Sequence, residues 1–298
     1  MRKLSKIMLG AFLVLTLGLV GFSFNVLAGT TSTGTVGIQN TVPTMGTATL
    51  LNQADADAAI TLTAGGTVVV TASATVTDVN GGADISSASG TLYHSTSTSA
   101  GTDDENIHIT NATCALGTPS GNDVVATCKF TMNFMALVGT WTANITAVDS
   151  GSAQVSGTDD NTVNALVALD VVNTTVNFGS LELGVNSSSA TALSVRSQGN
   201  AIIDARFKGG TYTCTTTGTI PVGNTKYGLT TGTYDELTTA LTADDVTQTG
   251  FNLGIRGSGG SANGANSDKI EYWGIKIPTT GVAGTCTNTL TVTAIADA

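Results

Sequence analysis

Histidine is almost missing from this chain. His94 and His108 are the only two, so general acid–base chemistry has little to draw on. No G-x-S-x-G elbow, H-E-x-x-H helix or Gly-rich phosphate loop occurs. The run RGSGGSANG (256–264) is glycine-rich but is not placed between a strand and a helix, so it reads as a loop. Carboxylates adjoin one another only in polar loops, where solvation is the default, and both histidines suit surface strand positions better than the role of a base. The expectation is a protein that is not an enzyme.

Charge and aromatic rings are scarce as well, at 11% and 5% of residues. No interior segment keeps an apolar stripe of period 3.6 over three or four turns, which argues against a helical domain. Four prolines are too few for a rigid Pro-rich linker. Basic residues number 11 against 21 acidic ones, a formal charge of −10, and no basic stripe is present. Such a chain repels phosphate backbones, which excludes nucleic acid as a partner.

What the chain has in quantity is Gly, Thr, Ser, Ala and Val. Thr and Val favour strands, and Gly and Asn serve tight turns. Arg2, Lys3 and Lys6 precede an uncharged apolar run from Ile7 to Phe24. Val26 and Ala28 then supply small residues before a cut at Gly29. Residues 1–28 read as a cleaved signal peptide, with an uncleaved anchor as the alternative because Ile7–Ala28 almost spans a bilayer. Gly rather than Cys at position 29 argues against a lipid-anchored precursor, and no basic-Gly pair marks a pilin-like signal. Removing the three basic residues takes the formal charge from −10 to −13. The mature chain carries no further transmembrane stretch. It closes on AIADA without a sorting tail, so retention at a cell surface would rest on other subunits or glycans.

Four cysteines remain after export: Cys114, Cys128, Cys214 and Cys286. An even count in an oxidising compartment reads as disulfides. Of three pairings, Cys114–Cys128 and Cys214–Cys286 puts one staple in each half. A four-cysteine metal site is the alternative, without CxxC spacing or flanking histidine in its favour.

Short alternating segments with turn signals between them fill the first half. Strands are expected at Gly34–Asn40, Ala48–Asn52, Ala59–Thr63, Thr67–Thr77, Gly90–Ser95, Asn106–Thr110, Val124–Phe134 and Gly139–Val148. Phe130, Met132 and Phe134 would share one face, and Trp141, Ala143, Ile145 and Ala147 another. Such spacing reads as a β-sandwich. The central stretch VNALVALDVVNTTVNFGSLELG (163–184) switches parity between Val171 and Val172. A bulged strand or a handover between sheets would each explain the switch. The handover reading divides the chain into domains 29–171 and 172–298. In the second half, strands are expected at Val172–Phe178, Thr191–Arg196, Ala201–Lys208, Ile270–Pro278 and Thr285–Ile295.

The segments ATVTDVNGGADI (74–85) and GTWTANITAVDSG (139–151) resemble immunoglobulin-like domains of secreted prokaryotic surface proteins. NFGSLELG (177–184), SVRSQGN (194–200) and IPTTGVAGTCTNTLTVTA (277–294) look like exported β-sandwich domains of cell-surface and filament-forming proteins. The resemblance implies an all-β chain of two β-sandwich domains, immunoglobulin-like or jelly-roll-like.

Four N-glycosylation sequons begin at Asn111, Asn144, Asn173 and Asn186, although such tripeptides also arise by chance in a Thr/Ser/Asn-rich chain. DVNGGAD (78–84) gathers Asp78, Asn80 and Asp84 in an oxygen-rich turn. It would suit calcium, or simply cap its own backbone. Asp103, Asp104, Glu105, Asp159 and Asp160 would add ligands if their loops converged there. No other cofactor is expected.

The function these features imply is a non-enzymatic extracellular structural subunit of a surface layer or filament, assembling by strand pairing between subunits. The chain segment from Gly29 to about Asn40 is the candidate donor. Self-association or binding to other cell-surface proteins would supply the partners. A secreted adhesin or carbohydrate-binding module is the alternative, with Tyr93, Tyr212, Tyr227, Tyr234, Tyr272 and Trp273 as the aromatics near loops.

Overall fold

A computed structural model describes residues 34–257 and 267–297. The expected signal peptide and most of the 256–268 loop lie outside the described residues. The chain divides into a segment Met1–Asn40 and a compact unit Thr41–Ala298. Of the segment, residues 34–40 join no sheet, so the strand expected there is absent. Val36 and Ile38 are 85% and 84% exposed.

The described part of the compact unit is β-structure with two short 3-10 turns, Gly82–Asp84 and Val222–Asn224, and no α-helix. Nine strands build its first half: β1 (Thr44–Met45), β2 (Thr49–Leu51), β3 (Thr67–Thr77), β4 (Ile85–His94), β5 (His108–Asn111), β6 (Ala115–Leu116), β7 (Asp123–Asn133), β8 (Gly139–Asp149) and β9 (Gln154–Val163). One sheet runs β1-β3-β7-β6 with β2 also on β3, and the other runs β5-β4-β8-β9. All these strand pairs are antiparallel.

Alternation puts Val68, Val70, Ala72 and Val76 of β3 and Phe130 and Met132 of β7 against Leu92, Trp141, Ala143 and Ile145 from the opposite sheet. Two faces of this kind pack as a sandwich. Trp141 is fully buried, and its indole N–H donates to the Leu137 carbonyl at 2.8 Å. Gly90 in β4 leaves room where the sheets come closest: a Cβ there would meet Cys128 Sγ at 2.8 Å and the Phe130 ring at 3.0 Å.

β9 pairs with β8 down to Val163–Gly139, and Ile60 forms a parallel bridge with Val163. That bridge is all that remains of the strand expected at Ala59–Thr63. Residues 164–168 belong to no strand. The chain then enters another sheet as β10 (Leu169–Val171), which pairs with Val195–Ser197. The passage between sheets therefore comes before the parity switch at Val171–Val172, and β9 extends a strand the sequence reading did not include.

The second half continues with β11 (Thr191–Ser197), β12 (Ile203–Gly209), β13 (Tyr212–Cys214), β14 (Thr219–Ile220), β15 (Thr225–Gly228), β16 (Thr239–Ala240), β17 (Val246–Thr247), β18 (Asp268–Ile275), β19 (Cys286–Thr287) and β20 (Leu290–Ala296). They form three sheets, β10-β11-β18-β15-β16, β17-β12-β20 and the small β14-β13-β19. The core is aromatic: the Phe207 centroid lies 5.1, 6.0 and 5.4 Å from those of Tyr227, Phe251 and Trp273. Tyr227 also stacks on Trp273 at 4.8 Å. Offset and edge-on rings of this kind add about 0.5–1.5 kcal/mol per pair beyond their burial.

Asn200 clasps the two halves together. It is fully buried, its side-chain N–H groups donate to the Ala136 and Asn164 carbonyls, and its side-chain oxygen accepts from Leu166 N–H at 2.6 Å. Beside it, a Cβ on Gly199 would collide with the Leu166 carbonyl. Glycine lets the backbones meet there.

Both disulfides are formed, Cys114–Cys128 and Cys214–Cys286. Cys214 and Cys286 are register partners between β13 and β19.

Candidate functional site

Three features of the compact unit have the chemistry to act: a partly apolar trough in the second half, a turn at which three carboxylates meet, and the sequon-bearing faces.

The trough has a volume of about 1340 Å³ and a mixed lining, apolar at Val171, Phe178, Trp273 and Val292 and polar at residues such as Asn177 and Thr287. Two edges flank it. β20 pairs only with β12, and β10 only with β11, so each has a side with no strand partner among the described residues. Leu290 and Val292 of β20 line the hollow, and one side of that strand is open among the described residues. The segment after β10, expected as a strand from Val172 to Phe178, follows the trough without joining a sheet; Val176 and Phe178 pack on its core. Alternation there reflects a chain with one apolar side: Val172 N–H still donates to the Ser194 carbonyl, and then the Asn173 side chain takes the place of the backbone ladder toward β11.

In the core of the second half, Glu271 sits on β18 on the same face as Trp273 and is fully buried, with both carboxylate oxygens unpartnered. Burial pushes its pKa up to about 8, against a smaller opposing pull from Lys269. Burial together with the Glu271 charge raises Tyr227 to about 12.

In the first half, Asp78 directly follows β3, Asp84 ends the 3-10 turn and Asp149 closes β8. One oxygen from each lies within 4.8 Å of the other two. The expected Asn80 does something different: its side-chain oxygen accepts the Thr41 N–H at 2.9 Å. Asp149 was not anticipated, because it reaches the turn through the β4–β8 pairing.

The five other acids do not converge on the turn, and Asp78, Asp84 and Asp149 form the one such cluster among the described residues. Asp159 accepts from Leu50 N–H at 2.6 Å, Asp104 accepts from Asn106 N–H at 2.9 Å, and Glu105 accepts from Asn133. Asp160 faces Thr142 across β8–β9. Asp103 faces His108 at 3.0 Å and has its pKa lowered, first by a hydrogen bond from the Thr110 side chain.

The histidines are not on the surface as expected. His94 and His108 are 6% and 1% exposed. His94 Nδ1 accepts from the Thr96 N–H, and its Nε2 faces the Val138 carbonyl. His108 Nε2 is buried without a partner.

The sequon asparagines are half-buried, and three of them are hydrogen-bonded. Asn111 donates to the Lys129 carbonyl, Asn173 donates to Ala192 and accepts from Ser194 N–H, and Asn186 reaches Asp235. The Asn144 side-chain oxygen is buried in the sheet without a partner. Of the six loop aromatics, Tyr212, Tyr227, Tyr234 and Trp273 are buried and form no exposed stacking platform.

No family model matches this chain, and no curated protein matches it either. Solved structures do. The C-terminal domain of the Streptococcus agalactiae AgI/II polypeptide BspA is 11% identical over 86% of this chain and 96% of that one, with a TM-score of 0.20. The C-terminal domain of the Streptococcus pyogenes antigen I/II-family protein AspA is 10% identical over 84% and 99%, with a TM-score of 0.23. The secreted serine protease VesC from Vibrio cholerae is 13% identical over 79% and 48%, with a TM-score of 0.20. At these scores the likeness carries no functional argument.

Proposed function

We propose that this chain is an exported, non-enzymatic structural subunit of a cell-surface filament or layer, built of two sandwich domains that meet at residues 164–168. Copies join by strand donation. The observation that carries this reading is the partly apolar trough beside the open edge of β20. A free edge beside an apolar hollow is a template for a strand from another chain.

Residues 34–42 have the matching pattern. Val36, Ile38 and Val42 share one parity and are 85%, 84% and 61% exposed. Burying Val36 and Ile38 in the trough of a second copy would contribute about 1.5–3 kcal/mol each. Ladder bonds to β20 would add about 0.5–1.5 kcal/mol each. Because donor and acceptor lie on different parts of the chain, the contact is head-to-tail and propagates. The paired disulfides suit an oxidising exterior.

Removing the donor tests this. Protein beginning at Gly29 is expected to form filaments or lattices by negative-stain microscopy. Protein beginning at Thr41, with an unchanged β-type circular dichroism spectrum, is expected to remain as single particles. Equal polymerisation by both would dismiss strand donation.

A further inference from the structure

Two carboxylates brought within hydrogen-bonding range repel one another, and a third makes the arrangement worse. Asp78, Asp84 and Asp149 nonetheless converge within 4.8 Å, and Asp78 and Asp149 are 0% and 2% exposed. Donors from the protein satisfy at least one oxygen of each. Asn80 N–H donates to Asp78 Oδ1 at 2.8 Å, Ala153 N–H donates to Asp149 Oδ1 at 2.8 Å, and the Ser150 hydroxyl donates to Asp84 Oδ1. The second oxygen of Asp78, Oδ2, is buried with no partner. A charge sealed in this way is unfavourable unless a counter-charge meets it.

The frame around the cluster is rigid. Asp78 N–H donates to the Asn122 carbonyl, Gly82 N–H donates to the Gly121 carbonyl, and Ser150 N–H donates to the Asp84 carbonyl. A Cβ on Gly82 would meet the Asp123 backbone at 2.4 Å, so the turn is pinned onto the β6–β7 connection. Gly81, at φ 114°, takes a backbone conformation that other residues rarely adopt. The backbone that carries the three carboxylates is thus tied together by hydrogen bonds.

We infer that Asp78, Asp84 and Asp149 form a calcium site joining the ends of β3 and β8 to the intervening turn. Calcium binds oxygen at about 2.3–2.6 Å, so oxygens on one ion lie up to about 5 Å apart, and this cluster falls inside that span. Half-exposed Asp84 leaves a side open for the waters that complete six to eight ligands. The site lies in the opposite half from the trough and does not depend on strand donation. It still bears on the donor segment, because Asn80 of the same turn anchors Thr41.

Protein stripped with chelator and dialysed should be melted in CaCl2, in MgCl2, and in NaCl at matched ionic strength. Calcium is expected to raise Tm saturably by about 5 °C or more, with half-effect near the 0.1–1 mM typical of extracellular modules. Asp78→Asn should remove the response while melting, without calcium, no lower than the parent, because it relieves repulsion. Asp84→Asn, at the half-exposed ligand, should remove it too and serves if Asp78→Asn does not fold. Asp160→Asn, outside the cluster, should keep the full response. A Tm that calcium does not move, or a response that survives Asp84→Asn, overturns the assignment.

Discussion

Raising the pH from about 5 to about 9 should destabilise this protein steeply, and Glu271→Gln should remove most of that loss. Glu271 is buried among Tyr227, Trp273 and the rest of the aromatic core with neither oxygen paired, and its pKa stands at about 8 against an ordinary 4.5. A folded-state pKa above the unfolded one means that the native state holds the extra proton. The stabilisation is fully present below pH 4.5 and drains away as pH climbs through about 8. At about 1.4 kcal/mol per unit, the whole interval amounts to roughly 4–5 kcal/mol. For a unit of this size that is on the order of 10 °C in Tm. Glutamine keeps the shape and cannot ionise, so thermal melts of the variant should be nearly flat across the window and above the parent at the alkaline end. Identical pH slopes for the two would mean that the carboxyl is not held neutral in the core.

The second large effect concerns the cysteines. Replacing Cys214 and Cys286 with serine should cost about 4 kcal/mol, and replacing Cys114 and Cys128 about 3 kcal/mol, because the first pair closes the longer loop. Their sequence separations are 72 and 14 residues. Local packing sharpens the difference. The β14-β13-β19 sheet rests on a small cluster of Tyr212, Cys214, Ile220, Ile275 and Val282, whereas Cys114–Cys128 lies in an extensive core already held by Trp141 and Phe130. Each half contains one buried tryptophan, Trp141 or Trp273, so single-Trp variants can report the halves separately in urea. A lower urea midpoint for the Cys114/Cys128 variant than for the Cys214/Cys286 variant would reverse the ranking.

Where one face of a strand is apolar, the sequence showed it. The expected Thr67–Thr77 strand is β3 to the residue, and Phe130, Met132, Trp141 and Ile145 all point inward. β9 was not recognised because QVSGTDDNTV presents an edge whose alternation is carried by Val155, Gly157 and Asp159 rather than by a row of large apolar residues. In β18 the apparent hydrophobic cue misleads. Ile270 is 45% exposed while Glu271 is buried, because Trp273 and Ile275 on the opposite parity decide which side meets the core. The histidines lie inside for the same reason, since a residue's type says little once its strand parity is set.

Residues 172–178 were indistinguishable from a strand, because alternation reports an apolar side and not a ladder partner. The carboxylate cluster was half legible. Asp78 and Asp84 share one turn, but Asp149 arrives by pairing across more than sixty positions, which no local pattern encodes. The trough was not legible at all, since it arises where three sheets meet.

Strand donation itself can be trapped. One preparation carries Ile38→Cys, in the exposed donor, and a second carries Val292→Cys, beside the trough. Mixed, assembled and oxidised, they should yield a covalent pair on a non-reducing gel that neither preparation gives alone. Polymers visible by microscopy in the same mixture, with no such pair, would show that the subunits join by some other surface.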